Sequence, residues 1–584
     1  MNMSTTKVRV PTQTSEKMIE GNATDLVISF RNCRNGFLGI AIFSCIINVL
    51  MLSGPLFMLQ VYDRVLTSKS IETLFVLIAL VFVLYVFLAL FEFIRTRVSH
   101  RIGDDIHRYL AERLFGIWIN HAAFLRKGIV VNPLRDAQTL KSFASGSLIM
   151  AVFDLPWVPA YLALIFLLHW SLGLVACAGM LVSIGLALLN DRATSKNLEN
   201  ANRTALQAAT IAQEANRNAE VLMAMGMQKG LFSRWSKAEG KSQELHRTAA
   251  DRGSIFSVST KSIRLFVQSA MLAVGALLAI EQIITPGVMI ASSIIMGRAL
   301  APIDQLISGW KNLVSTAQAF KRLRALFSST EPDAERTELP EPKGVVEVND
   351  VRLANSQKPS GWILDGLQLT AHGGQAIGVI GPSASGKSSL ARLLTGIWLP
   401  DAGEIRMDGA TFNQWGSDAL GKWIGYLPQE VELFSGSVKE NISRFSSEAD
   451  DEAVILAAHQ ADAHAMILEL PNGYDTQIGE NGTLISGGQK QRIGLARAFF
   501  GTPCLIVLDE PNSNLDHEGE QALQHAIKMA KEKGQIVFVM AHRPSAIAEV
   551  DFLLMLRNGR QVAFGPKEEV LKSVLENNRK VPNV

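Results

Sequence analysis

The chain has 584 residues, 48% of them apolar, with 56 Lys+Arg against 54 Asp+Glu for a formal net charge of +2. That length exceeds one ordinary domain and the apolar share points toward bilayer segments, while the near-neutral balance gives no electrostatic footprint for nucleic acid, so none is expected as a partner. The four cysteines, Cys33, Cys45, Cys177 and Cys504, have neither close pairing nor metal-ligand spacing, which excludes a disulfide scaffold and leaves structural packing as the expectation for each.

Residues 1–30 are polar and carry no secretory signal pattern, so a short cytoplasmic leader is expected, too short to hold an N-terminal protease domain. Apolar runs of about 20 residues, enough to cross a bilayer, occupy Gly36–Leu59, Ile71–Ile94, Leu148–His169 and Ser171–Leu189. Two further runs, Ile255–Ile280 and Pro286–Ile307, are interrupted by Lys261, Arg264 and Arg298. Six spans within residues 31–327 follow. The basic stretches Arg95–Lys141 and Arg192–Arg252 alternate with short connections near Asp63–Ser70, Trp170 and Glu281–Thr285. The positive-inside rule then places both long loops and everything after Ile307 in the cytoplasm. These loops are rich in helix formers and read as membrane helices continuing past the lipid. Tyr62-Asp63-Arg64 is expected to form a periplasmic turn. Asp154, two residues before Pro156, is expected to cap a helix near the cytoplasmic edge. Arg264 and Arg298 line a polar cavity, snorkel toward water or lie outside the true spans.

Residues 328–343 are acidic, Pro-rich and without periodicity, a linker. From residue 344 to 584, short β-branched runs alternate with helical patterns, the texture of an α/β domain. Within it the strand-like run Gln375–Ile380 leads into Gly381, Pro382, Ser383, Ala384, Ser385, Gly386, Lys387, Ser388 and Ser389, and a helix pattern leaves them. Strand, glycine-rich loop and helix in that order form a phosphate cradle: backbone N–H groups and the helix N-terminus bind the β-phosphate, Lys387 bridges to the γ-phosphate, and Ser388 offers an oxygen to Mg²⁺. Downstream, Leu505–Leu508 is an apolar strand ending in Asp509 and Glu510. Asp509 suits Mg²⁺, and Glu510 suits polarising an attacking water.

Ile485-Ser486-Gly487-Gly488-Gln489 opens a further helix pattern. Here the sequence resembles the ATP-binding cassette family, whose signature is Leu-Ser-Gly-Gly-Gln at a helix start; Ile485 stands for the usual Leu. The resemblance implies a six-helix α-helical transmembrane domain followed by an α/β P-loop nucleotide-binding domain that hydrolyses ATP with Mg²⁺. It also implies that Ser486, Gly487, Gly488 and Gln489 cap the nucleotide of a second copy, so the chain works as a homodimer. By the same resemblance Gln429 serves Mg²⁺, Asp516 lies in the interfacial D-loop, His542 contacts the γ-phosphate, and Gly479–Gly482 is an exporter-specific loop. The aromatic that commonly stacks on adenine is matched by Asn355, which cannot stack; Trp362 is either a substitute or partly buried under the first strands.

Gly54–Leu66, Phe153-Asp-Leu-Pro-Trp-Val-Pro-Ala-Tyr161 and the run Asp509-Glu-Pro-Asn-Ser-Asn-Leu-Asp516 look like type I secretion ATPases of the metalloprotease and RTX-protein exporter kind. That resemblance implies a multi-pass protein of the inner membrane, with its nucleotide-binding domain in the cytoplasm. It would export unfolded polypeptides bearing a C-terminal signal, with a membrane-fusion adaptor and an outer-membrane channel. Export of lipid or amphipathic small molecules by the same motor is the alternative.

Overall fold

The computed structural model describes residues 31–124, 132–328, 339–355, 361–479, 485–513, 515 and 517–579. Most of the linker, Glu480–Gly482 of the exporter-specific loop, Asn514 and Asp516 lie outside the described residues. The chain divides into two compact units, Met1–Pro332 and Asp333–Val584.

Among the described residues the first unit holds six helices long and apolar enough to cross a membrane. The first consists of α1 (Arg34–Leu50) and α2 (Ser53–Gln60), prolonged by a π-helical turn at Val61–Val65. Next come α3 (Ile71–Phe124) and α4 (Pro133–Ala144). A span broken by the 3₁₀ turn Leu155–Trp157 follows, made of α5 (Ser147–Asp154) and α6 (Val158–Leu168). The last three spans are α7 (Trp170–Arg217), α8 (Gln228–Ile280) and α9 (Pro286–Ser308), and α10 (Trp310–Ser328) closes the unit. Helices α3, α7 and α8 run far past their apolar stretches, as the helix-forming loops predict. The apolar half of α3 turns Phe75, Val76, Phe82 and Phe93 outward, which suits hydrocarbon rather than water. Cys45 also faces outward instead of packing.

Three more of the sequence expectations change, at Tyr62-Asp63-Arg64, Asp154 and Arg264. The chain does not turn at Tyr62-Asp63-Arg64: the three residues lie inside the π-helical turn Val61–Val65, so the helix continues and breaks only at Lys69, with φ +54°. The widened π turn aims the Asp63 carboxylate at the start of α9, where it accepts hydrogen bonds from Thr285 Oγ1 at 2.6 Å and Gly287 N at 2.9 Å. Asp63 thus satisfies one of the free amides of a helix N-terminus, with the favourable sign for its dipole. Asp154 is likewise no cap; it makes no capping hydrogen bond to the 3₁₀ turn that follows it. Its carboxylate pairs with Arg95 Nη1 at 3.1 Å and accepts from Asn48 Nδ2 at 2.8 Å. A charge at this depth is stable only with a cation and donors around it, and that demand outweighs a single local cap. Tyr161 donates to Asn48 Oδ1 at 2.9 Å and Arg95 to Ser44 Oγ at 3.1 Å, so the buried network joins α1, α3, α5 and α6. Arg264 neither snorkels nor stands alone: it pairs with Asp304 of α9 at 2.5 Å, whereas Arg298 is exposed.

Among the described residues the second unit carries twelve strands in chain order. They are β1 (Val345–Ala354), β2 (Trp362–His372), β3 (Ala376–Ile380), β4 (Ala402–Met407), β5 (Ala410–Thr411) and β6 (Ile424–Leu427). The rest are β7 (Gly436–Ser437), β8 (Gln477–Ile478), β9 (Leu505–Asp509), β10 (Ile536–Met540), β11 (Phe552–Arg557) and β12 (Arg560–Pro566). The central sheet has the order β12-β11-β3-β10-β9-β6, parallel except at the β11–β12 edge. Its inner strands, Ala-Ile-Gly-Val-Ile, Leu-Ile-Val-Leu-Asp and Ile-Val-Phe-Val-Met, are continuous apolar runs because both faces are covered. A smaller antiparallel sheet, β2-β1-β4-β5, shares a core with it through Val348, Leu364, Ile377 and Phe538. This register brings the carboxyl ends of β3, β6, β9 and β10 side by side.

Candidate functional site

Ligands of open α/β sheets bind beyond the carboxyl ends of the strands, and the motif residues converge there. The phosphate loop leaves β3 at Gly381 and enters α11 (Lys387–Leu394). Gly386 has φ +103°, and a Cβ there would lie 2.5 Å from Leu364 Cδ2 and 3.3 Å from the Ile363 carbonyl. Gly386→Ala is therefore strained in backbone and in space, and is expected to cost roughly 1–3 kcal/mol, read as a lowered thermal midpoint of the purified protein.

Lys387 is only 5% exposed, and its Nζ donates to the carbonyls of Gly381 at 2.8 Å and Pro382 at 3.1 Å. Burial lowers its pKa, while the charges of Glu510 and Asp509 pull it back up. The Ser385 hydroxyl is buried with no partner among the described residues. An unsatisfied hydroxyl, an ammonium held only by its own loop and a helix N-terminus make up a cradle that polyphosphate would complete.

At the end of β9, Asp509 is 3% exposed and accepts from Ser388 Oγ at 3.3 Å. Burial raises its pKa, the Ser388 hydrogen bond opposes this, and neighbouring Glu510 adds to it. Two hard oxygen donors, one ionisable, fit Mg²⁺ shared with phosphate oxygens. Among the described residues no cluster of three or more His, Cys, Asp or Glu makes a dedicated cage. Burial and the Asp509 charge also push Tyr426, on β6, up to about 12.

Glu510 has φ +52°, uncommon for a non-glycine residue, and its N–H donates to the Met540 carbonyl at 3.0 Å. Its carboxylate lies between two other predicted site residues. His542 Nε2 is 2.9 Å from Oε1, and Gln429 Nε2 donates to Oε2 at 3.1 Å. Gln429 thus meets Glu510 rather than Asp509. Strained backbone held by its surroundings is a common property of reacting centres.

The signature residues form a separate feature. Ser486 caps α12 (Gly487–Phe499) in a capping box with Gln489, whose Oε1 accepts from Ser486 N at 2.9 Å. Ser486 and Gly487 are exposed, so the helix N-terminus is open to an anion from another molecule. Trp362 opens β2 and is 44% exposed, while Asn355 N donates to the Gly361 carbonyl at 2.8 Å. Sequence motifs single out neither the buried Gln491 nor the half-buried Glu520 and Ser545, which stand behind the Glu510 segment; for Gln491, a polar side chain on the apolar stripe of a helix is the available signal.

The ABC transporter transmembrane region family matches residues 37–300, and the ABC transporter family matches residues 364–513. The chain is an ABC transporter. The family's ATP-binding domain makes it an ATP-hydrolysing transporter. Among similar proteins is the type I secretion system ATP-binding protein PrsD of Rhizobium meliloti, 44% identical over 95% of this chain and 96% of that one. The cyclolysin secretion/processing ATP-binding protein CyaB of Bordetella pertussis is 28% identical over 91% of this chain and 75% of its own. The leukotoxin translocation ATP-binding protein LktB of Mannheimia haemolytica is also 28% identical, over 94% and 77%. The fold is that of a bacterial Atm1-family ABC exporter with ATP bound, with a TM-score of 0.82 at 21% identity, covering 94% of this ABC transporter and 99% of that structure.

Proposed function

We propose that this ABC transporter is the ATP-driven component of a type I secretion system. The observation that carries the reading is the 44% identity, across nearly the full length of both chains, to a type I secretion ATP-binding protein. It works as a homodimer in the inner membrane, with its nucleotide-binding domain in the cytoplasm. It passes unfolded polypeptides with a C-terminal signal to a membrane-fusion adaptor and an outer-membrane channel. The exposed N-terminus of the signature helix supports the dimer, since an anion site open to solvent fits the nucleotide of a second copy.

In each site the amides of residues 381–389 and the α11 N-terminus hold the phosphates of ATP, and Lys387 exchanges its loop carbonyls for β- and γ-phosphate oxygens. Ser388, Gln429 and Asp509 would hold Mg²⁺, which when bound would neutralise phosphate charge. Ser486, Gly487 and Gly488 of one copy cap the γ-phosphate bound by the other, with Gln489 fixing the capping serine. Glu510 orients the attacking water and accepts its proton as the bond to the γ-phosphorus forms and the bond to the ADP oxygen breaks. His542 holds the γ-phosphate. Gln429 leaving Glu510 is the step that frees the base, and Asp516 belongs to the dimer interface.

Lys387→Ala removes a charge-assisted contact of about 1.5–3 kcal/mol and is expected to weaken ATP binding by roughly tenfold to a hundredfold in equilibrium titration. The cargo is tested by mass spectrometry of culture supernatants from the wild type and a Glu510→Gln strain. Loss of a few proteins without N-terminal signals supports polypeptide export. An unchanged supernatant beside altered membrane lipid overturns it.

A further inference from the structure

The peptide that follows the base is held from behind. Gln491, on α12, is 2% exposed, and its Nε2 donates to the carbonyl of Pro511 at 2.8 Å. Pro511 is the immediate neighbour of Glu510, so this bond fixes the Pro511–Asn512 peptide, one residue beyond the base. The next residue, Asn512, is also buried, and its Nδ2 donates to Ser545 Oγ at 3.4 Å. Ser545 Oγ donates in turn to Glu520 Oε1 at 3.2 Å, and Glu520 lies on α13 (His517–Glu532). Arg543, adjacent to His542, has Nη1 3.9 Å from the same Glu520 oxygen, and Gln524 Nε2 donates to the Ser545 carbonyl at 3.2 Å.

Both reacting groups are thus supported by residues that touch neither of them. A buried amide is a costly choice where an aliphatic side chain would pack, unless its hydrogen bond selects one arrangement. Here the selected arrangement joins three functional segments: the signature helix, the turn after Glu510, and the turn after His542.

We infer that Gln491 and Asn512 are positioning residues that tie the signature helix to the base Glu510 and to His542, so that capping one nucleotide sets the hydrolytic geometry at the other. The inference rests on the dimeric reading above, in which the signature helix of one cassette meets its partner's ATP. A γ-phosphate seated on Ser486 and Gly488 then reaches Glu510 of the same chain through α12, Gln491 and the Pro511 carbonyl. Asn512 carries the same setting through Ser545 to the His542 segment. Each cassette reports the nucleotide it caps to the nucleotide it hydrolyses.

The test is steady-state ATPase kinetics of the full-length protein in lipid nanodiscs. Gln491→Met keeps length and packing without the donor. Asn512→Asp keeps the shape, loses the donor and sets a second carboxylate near Glu520; Asn512→Thr restores a hydroxyl donor. The expected result is a fall in kcat of about tenfold for Gln491→Met and for Asn512→Asp, with KM for ATP within about a factor of two. The double variant should be no slower than the worse single, and Asn512→Thr should keep most of the activity. Unchanged kcat, a parallel rise in KM, or losses that multiply in the double variant would each overturn the inference. Should Gln491→Met fail to fold, the Asn512→Asp and Asn512→Thr pair decides alone. A wild type inactive in ATP hydrolysis would instead sink the functional reading itself, so the two failures are distinct.

Discussion

Glu510→Gln is expected to slow ATP hydrolysis by about 10²–10⁴-fold, the range that a positioned general base contributes. The substitution keeps volume and backbone preference at a position with φ +52°, so the turn survives. It also leaves a carbonyl oxygen to accept from His542, which stands 2.9 Å from Oε1. What is lost is the ability to take a proton from water. Nucleotide binding, which rests on Lys387, Ser388 and the loop amides, should stay near wild type, and the cassettes should remain closed on unhydrolysed ATP. Phosphate release and retention of radiolabelled ATP after gel filtration measure the two effects. Hydrolysis at the wild-type rate would remove Glu510 from its assigned role.

Arg95→Leu is expected to destabilise the membrane unit by about 3–5 kcal/mol, because removing one partner strands a buried charge. Asp154 would keep the Asn48 amide at 2.8 Å but lose its cation, and Ser44 would lose a donor. Replacing Arg95 and Asp154 together by Leu should recover most of the loss, since a well-packed apolar pair often matches a buried ion pair. Thermal inactivation in lipid of the single and double variants reads this directly. A single variant as stable as wild type would show that Asp154 finds water or a proton at no cost.

Legibility differed by the range over which each feature is encoded. The phosphate loop, the strand ending in Asp509-Glu510 and the signature helix were readable because their chemistry dictates contiguous residues. The spans were readable because lipid demands long apolar runs. The partners of Asp154, Asp63 and Arg264 were not. Asp154 pairs with a residue 59 positions away, Arg264 with one 40 away, and Asp63 with one 224 away. No periodicity marks such pairs, so local rules filled the gap: an acid before proline suggested a cap, and a short polar triplet suggested a turn. Gln429 illustrates a different limit. Its residue type was readable, but its hydrogen bond to Glu510 depends on how the ends of β6 and β9 are spaced. Cys45 was assigned to packing because it lies in an apolar run, which does not distinguish a face turned inward from one turned outward.

Helix α3 has 54 residues, which at 1.5 Å per residue is a rod of roughly 80 Å. Only its first 24 residues, Ile71–Ile94, belong to the apolar run, about 36 Å of length. The remaining 45 Å or so carries Ile102, Ile106, Leu110 and Leu114, which share a core with Ala137 and Leu140 of α4, so a tilt of about 10° would carry its far end some 8 Å together with α4 by simple geometry. Helices α7 and α8, 48 and 53 residues long, pack along one another, and a paired rod resists bending better than a single one. With arms of about 36 and 45 Å, such rods would carry a tilt from one end to the other at nearly equal amplitude, so a displacement in the lipid reaches the far end almost undiminished.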